Sequence, residues 1–153
     1  MGAFDEILKL LQGAGAEHHV MEHEPVRTSE QAAQVRGTEL GQGAKALVLE
    51  CGDSLLMAVI SAAKQVDFRA LKRELGEKRV QMASPEKVMQ ATGCEPGGVP
   101  PFGHLFGLRV ILDPALLEYE WIDFNAGERT RSVEMRATDY LRLSGAEVVS
   151  FAK

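Results

Sequence analysis

Residues 44–61 read AKALVLECGDSLLMAVIS. Two apolar runs, Ala44 to Glu50 and Leu55 to Ser61, flank the turn-forming cluster Cys51-Gly52-Asp53-Ser54, and this pattern predicts an antiparallel hairpin. The hairpin is expected to lie at the centre of the fold.

Upstream of it, Phe4, Ile7, Leu8 and Leu11 recur at helical intervals before Gly13 and Gly15, which predicts an amphipathic first helix. A short strand, His18 to Glu22, follows. Thr28-Ser29-Glu30-Gln31 has the form of a capping box, opening a helix through Ala32, Ala33 and Val35 that Gly37 ends. Downstream, Asp67 caps a predicted helix with Phe68, Leu71 and Leu75 on one face and Arg69, Lys72 and Arg73 on the other. KRVQMA reads as a strand, and Ser84-Pro85 as the start of a helix running to about Ala91, because proline is tolerated at the first helical position. LFGLRVIL, a helical turn at LLEYE, WIDF, TRSVEM, a small helix capped by Thr138 or Asp139, and AEVVSF complete the chain. The segment contains no linker, repeat or low-complexity tract. The reading is therefore one α/β domain over residues 1–153, a mixed and mostly antiparallel sheet surrounded by helices.

Composition narrows the function classes. Apolar residues at 45% and charged residues at 25% match an ordinary globular protein. The opening segment MGAFDEILKLLQGAG carries acids within its apolar stretch, and no run approaches membrane-span length, so a cytoplasmic protein without a membrane partner is expected. Cys51 and Cys94 have no CxxC partner, and His18, His19, His23 and His104 form no metal-ligand spacing. Neither a metal nor another cofactor is expected. The net charge of −5 argues against nucleic acid, but its distribution does not: Lys64 to Lys87 carries +3 and the remainder −8.

The least ordinary stretch is Thr92 to His104, TGCEPGGVPPFGH, in which four glycines and three prolines make a tight loop. Such a loop can aim backbone N–H groups at an anion or a developing oxyanion, or it can be a rigid connection between a helix and a strand. Lys45 is the one charged residue of Ala44 to Leu49. It can donate to a phosphate or ribose hydroxyl, or snorkel at a strand end. His23 and His104 suit proton transfer or substrate contact, or are simply packed or solvated. Asn125 and Gly127 can close one wall of a pocket, whereas Arg129 and Arg131 read as solvated surface. No GxSxG elbow is present, and neither cysteine has the setting of an activated thiolate.

Four features together resemble the YbaK/prolyl-tRNA-synthetase-associated editing domains, relatives of the editing insertion of bacterial prolyl-tRNA synthetase. They are HEPVRTSEQAA (23–33), GAKALVL (43–49), SAAKQVDFRALKRELG (61–76) and TGCEPGGVPPFGH (92–104), followed by a strand into LDP and by FNAGERTRSVEM (124–135). The resemblance implies hydrolysis of the ester joining a wrong, small amino acid such as alanine to tRNA, commonly the tRNA for proline. It further implies that Lys45 is the functional lysine and Gly97 the glycine of a GxxxP motif. Gly97 and Gly98 are then expected to be catalytic with Lys45, through amides that hold the carbonyl or the attacking water. His23, Val59, Ser61, Pro100, Phe102, Gly103, His104, Asn125 and Gly127 are expected to bind substrate, and Lys64, Arg69, Lys72 and Arg73 to bind tRNA. A transient synthetase partner is also implied. Two rival readings are a silent tRNA-binding or regulatory module and a hydrolase of small aminoacyl esters that ignores the tRNA body.

Overall fold

The computed structural model describes residues 2–153; Met1, the first residue of the opening segment, lies outside them. The hairpin forms as expected: β2 (Ala44–Cys51) and β3 (Ser54–Ser61) pair antiparallel from Ala44↔Ser61 to Cys51↔Ser54, and Gly52 takes a φ of 60° in the turn. It is the middle of a five-stranded sheet of order β4-β2-β3-β5-β8, with β4 at Val80–Met82, β5 at Arg109–Leu112 and β8 at Glu147–Val148. β3 runs parallel to β5, and β5 parallel to β8. β1 (His18–Glu22), β7 (Arg131–Arg136) and β6 (Trp121–Asn125) form a second, wholly antiparallel sheet in the order β1-β7-β6. The α/β fold is thus mixed and mostly antiparallel, with its strands divided between two sheets that touch at a bridge between Gly43 and Asp123.

Both faces of the hairpin are covered, which explains why its strands are apolar at consecutive positions. Val48, Met57 and Val59 join the larger core with Ile7 and Leu11 of α1 (Ala3–Gly13), Phe124 and Val133 of the second sheet, and Tyr140 of α5 (Ala137–Ser144). Leu49, Leu56, Ala58 and Ile60 face the other way, onto Leu71 of α3 (Phe68–Leu75) and Phe151. The helix boundaries follow side-chain chemistry. Thr28, Asp67 and Ser84 each accept the N–H three residues on, at the starts of α2 (Ser29–Arg36), α3 and α4 (Pro85–Thr92). The Gln31 side chain, instead of closing the box on Thr28, accepts the Arg27 N–H at 3.0 Å.

Three local expectations change. Leu105 and Phe106 belong to a 3-10 turn, Gly103–Phe106, that Gly107 ends, so the LFGLRVIL strand begins only at Arg109. α5 starts at Ala137 with Arg136 in the N-cap position, so Thr138 and Asp139 fall inside its first turn and neither caps it. AEVVSF pairs only at Glu147–Val148, since the buried Asp113 carboxylate accepts the Phe151 and Ala152 amides at 2.9 Å each and draws the chain end away.

Candidate active site

β4 pairs only with Leu49–Cys51, so the first half of β2 has a bare edge. The Ala83 N–H donates to the Val48 carbonyl on that side. Backbone groups alternate along a strand, so Ala46 also turns its N–H and C=O to the bare edge. Facing it are the loop into α2, α2 itself, a 3-10 turn at Leu40–Gln42, the end of β6, and the loop after α4. Together they enclose a cavity of about 250 Å³. Its apolar wall is made of small side chains, Val26, Ala32, Ala33, Ala44, Ala46, Ala62 and Val99, with Leu40 and Leu47. Its polar wall holds Arg27, Thr28, Ser29, Arg36, Glu39, Lys45, Asp123, Asn125 and Arg129.

Lys45, Gly97 and Asn125, distant in sequence, therefore line one space. Lys45 is a half-buried residue, and its ammonium takes no carboxylate partner among the described residues. The glycine-proline loop is held by side chains from elsewhere. Arg129 donates to the Pro96 carbonyl at 2.8 Å, and Asn125 Nδ2 donates to the Gly97 carbonyl at 2.6 Å. With a trans peptide, the Gly97 N–H points away from the side on which Arg129 grips Pro96. Neither the Gly97 nor the Val99 N–H finds an acceptor among the described residues. Gly97 has a φ of 89°, a region that a side chain strains. The Gly98 N–H, by contrast, closes a turn on the Glu95 carbonyl at 2.9 Å, and the Gly98 carbonyl accepts from Gly127 at 2.9 Å. The expectation that both glycine amides face the substrate is revised: Gly98 is structural, and Val99 offers the second free amide.

The polar wall contains an ion pair. Arg36 Nη1 donates to Asp123 Oδ1 at 2.6 Å, with the side chains only 5% and 1% exposed. Burial pushes the Asp123 carboxyl pKa up, opposed by the neighbouring Arg36 charge, and lowers that of the Arg36 guanidinium, opposed by Asp123. Arg36 Nη2 donates to Asn125 Oδ1 at 2.7 Å and Nε to Ser132 Oγ at 2.8 Å. His23 Nδ1 faces the Glu24 carbonyl at 2.8 Å, so it carries the proton, and Nε2 accepts the Ser132 hydroxyl at 2.7 Å. Asp123 Oδ2 and Thr38 Oγ1 are buried and have no hydrogen-bond partner among the described residues.

Other expected substrate-binding residues lie outside the cavity. His23 is spent on Ser132 and Glu24. Val59 and Phe102 are fully buried in the larger core, Phe102 edge-on to Phe124 and Tyr140. Ser61 donates to the Gly41 carbonyl at 2.8 Å. Pro100 is buried, His104 is exposed beside Phe102, and Gly127 packs against Ala3 at a φ of 95°. Gly103 is a packing glycine: a Cβ there would meet Val110 Cγ2 at 2.6 Å and the Leu108 carbonyl at 2.8 Å. Gly103→Ala is accordingly expected to lower stability by roughly 1–3 kcal/mol in thermal denaturation, as overpacking does. Arg129, read from sequence as surface, belongs to the site. Arg131 keeps that reading, pairing with Glu128 at 2.6 Å and lying over Phe4. Lys64, Arg69, Lys72 and Arg73 are exposed, and Lys64 sits two residues beyond Ala62 of the cavity wall. Among the described residues no group of three or more His, Cys, Asp or Glu side chains gathers as metal ligands would, and no helix is long and apolar enough to cross a membrane.

Residues 23–143 match the aminoacyl-tRNA editing domain, and the chain belongs to that family, on its YbaK-like trans-editing side. Its relatives include the "Multifunctional Ser/Thr-tRNA deacylase ProXp-y" of Escherichia coli (strain K12), 39% identical over 152 residues, covering 96% of this chain and 91% of that protein. Bacillus subtilis (strain 168) YwhH is 31% identical over 122 residues, covering 79% of this chain and 77% of that protein. A solved structure whose proposed role is trans-editing for prolyl tRNA synthetase superposes with a TM-score of 0.88 at 29% identity, covering 99% of this chain and 97% of that one. A deacylase-type, trans-editing function is supported by this kinship.

Proposed function

We propose that the cavity receives the 3′ aminoacyl end of a mischarged tRNA and that the protein hydrolyses that ester in trans, without a metal. One observation carries the reading: among the described residues, a Lys45 ammonium with no carboxylate partner and Gly97 and Val99 amides with no acceptor border a cavity whose apolar wall is largely alanine. Aminoacyl esters are already activated, so orientation and oxyanion stabilisation suffice without a nucleophilic side chain. Lys45 binds the terminal ribose-phosphate. The Gly97 and Val99 amides hold the carbonyl oxygen as charge develops on it. A ribose hydroxyl assists proton transfer from the attacking water.

The alanine-rich wall sets an upper size for the amino acid. One excess methylene is worth only about 1–3 kcal/mol in such a pocket, so recognition of the tRNA body must add discrimination. Lys64, Arg69, Lys72 and Arg73 supply it, and a synthetase acts at most as a transient partner. Alanine on the tRNA for proline is the substrate that the family resemblance favours, while the motifs themselves do not separate alanine from cysteine, serine or threonine. The name of the E. coli relative adds serine and threonine as equal contenders.

The test is a deacylation screen over the acceptor tRNAs for proline, serine and threonine, charged with alanine, serine, threonine, cysteine, 2-aminobutyrate or proline. Hydrolysis of at least one small non-cognate ester, with prolyl ester spared, is the expected result. Binding without cleavage of any ester would establish the silent module instead. Replacing Arg69, Lys72 and Arg73 together by alanine is expected to weaken tRNA binding and to flatten its salt dependence by about one unit of logarithmic slope for each phosphate no longer neutralised. Cleavage indifferent to that change would place the activity on small esters alone.

A further inference from the structure

We infer that Arg36 is a positioning residue for the proposed hydrolytic site: it fixes the Asn125 side-chain amide in the one orientation that presents Nδ2 to the Gly97 carbonyl. The inference rests on reading the cavity as that site.

A carboxamide is nearly symmetric in shape but not in chemistry, since one end accepts hydrogen bonds and the other donates them. Turned over, Asn125 would offer an oxygen to the Gly97 carbonyl oxygen and repel it. Arg36 decides the orientation. A guanidinium carries donors only, so the Asn125 atom 2.7 Å from Nη2 has to be Oδ1, which leaves Nδ2 for Gly97 at 2.6 Å. The guanidinium itself has no freedom to turn. Its three nitrogens each have a separate acceptor: Asp123 Oδ1 at 2.6 Å, Asn125 Oδ1 at 2.7 Å and Ser132 Oγ at 2.8 Å. His23 completes the arrangement by drawing the Ser132 hydroxyl proton to itself, so that Ser132 receives Arg36 through a lone pair.

The object being held needs holding. Gly97 and Gly98 are consecutive glycines, the residue type with the widest backbone freedom, and Gly97 already sits at a φ of 89°. The peptide between them has its carbonyl on Asn125 and its N–H on Glu95. Releasing the Asn125 end frees that peptide to rotate, and the Gly97 and Val99 amides on either side lose their fixed positions at the cavity. A lysine at 36 keeps one charge near Asp123 but lacks the planar fork that serves three acceptors at once.

The decisive variant is Asn125→Asp, because its carboxylate still accepts from Arg36 yet cannot donate to Gly97. It is expected to fold with a near-native thermal midpoint and to lose kcat about 10- to 100-fold, the scale of a small misplacement of the reacting groups, with KM for the mischarged tRNA unchanged. Arg36→Lys is expected to lose kcat similarly, and Arg36→Lys/Asn125→Asp to lose no more than the worse single variant, as residues acting in one chain do. Wild-type kcat in Asn125→Asp, or a double variant whose loss is the product of the two singles, overturns the inference. Amide NMR of the same proteins reads the loop without any turnover: the Gly97, Gly98 and Val99 signals should broaden or split in both single variants while those of β3 stay in place. If the wild-type protein cleaves none of the esters screened, the functional reading fails on its own account. Unperturbed Gly97 to Val99 signals would then separately show that Arg36 and Asn125 do not hold the loop.

Discussion

Lys45→Ala should lower kcat/KM for deacylation about 100-fold, the scale of losing one charge-assisted hydrogen bond to the terminal ribose-phosphate. Lys45 is half-buried at the cavity and its ammonium is not offset by a carboxylate among the described residues, so its charge is available to a phosphate or ribose oxygen. Its removal breaks no ion pair of the fold. Far-UV circular dichroism and the thermal midpoint are therefore expected to change little while single-turnover hydrolysis collapses. A lysine that merely snorkels from a strand end gives the opposite result, a small stability change with full activity. Lys45→Arg is expected to recover only part of the rate, because the wider, planar head cannot occupy the same point. Unchanged hydrolysis in Lys45→Ala would remove the lysine from the site.

The largest stability effect is expected at Asp123. Asp123→Ala leaves the Arg36 guanidinium, 5% exposed, without its counter-charge, and breaking one side of a buried pair costs about 3–5 kcal/mol. Replacing both residues by apolar ones, Arg36→Met/Asp123→Leu, should return most of that stability, since desolvating two charges offsets much of their attraction. Chemical denaturation measures both changes. If the double variant is as stable as the wild type but inactive, the pair exists for the site and not for the fold; if it is as unstable as Asp123→Ala, the interior cannot repack and the pair is structural.

The fold was largely legible because its signals are local. Caps at Thr28, Asp67 and Ser84, glycine stops at Gly37, Gly76 and Gly93, and the hairpin turn all act within a few residues, and each element they bound lies where they put it. The division into two sheets is not local. It depends on β7, with β6 on its far side, pairing with β1 across more than a hundred residues, which no period in the sequence records. Of the cavity lining, Lys45 and Gly97 were legible because each breaks its surroundings, a charge in an apolar run and a glycine in a stiff loop. Val59 and Phe102 were misplaced for a related reason. An apolar residue beside a motif position looks like a pocket wall and is more often core, as both are. Arg36 gave no signal, since a basic residue in the last turn of a short polar helix is what a solvated C-terminus also has. Asp123 did carry one, a carboxylate between Ile122 and Phe124 in a strand buried at all three positions.

β4 is three residues long. Had it continued along β2, its backbone would have occupied the groups that Ala46 turns outward, and no cavity would exist. An exposed strand edge normally invites another chain to add itself, the first step of aggregation. Here α2 and the 3-10 turn at Leu40–Gln42 stand across from that edge and cover it. The elements that wall the site thus also keep the edge from becoming a seed for misassembly, and lengthening β4 would be a way to close the cavity without touching any of its polar groups.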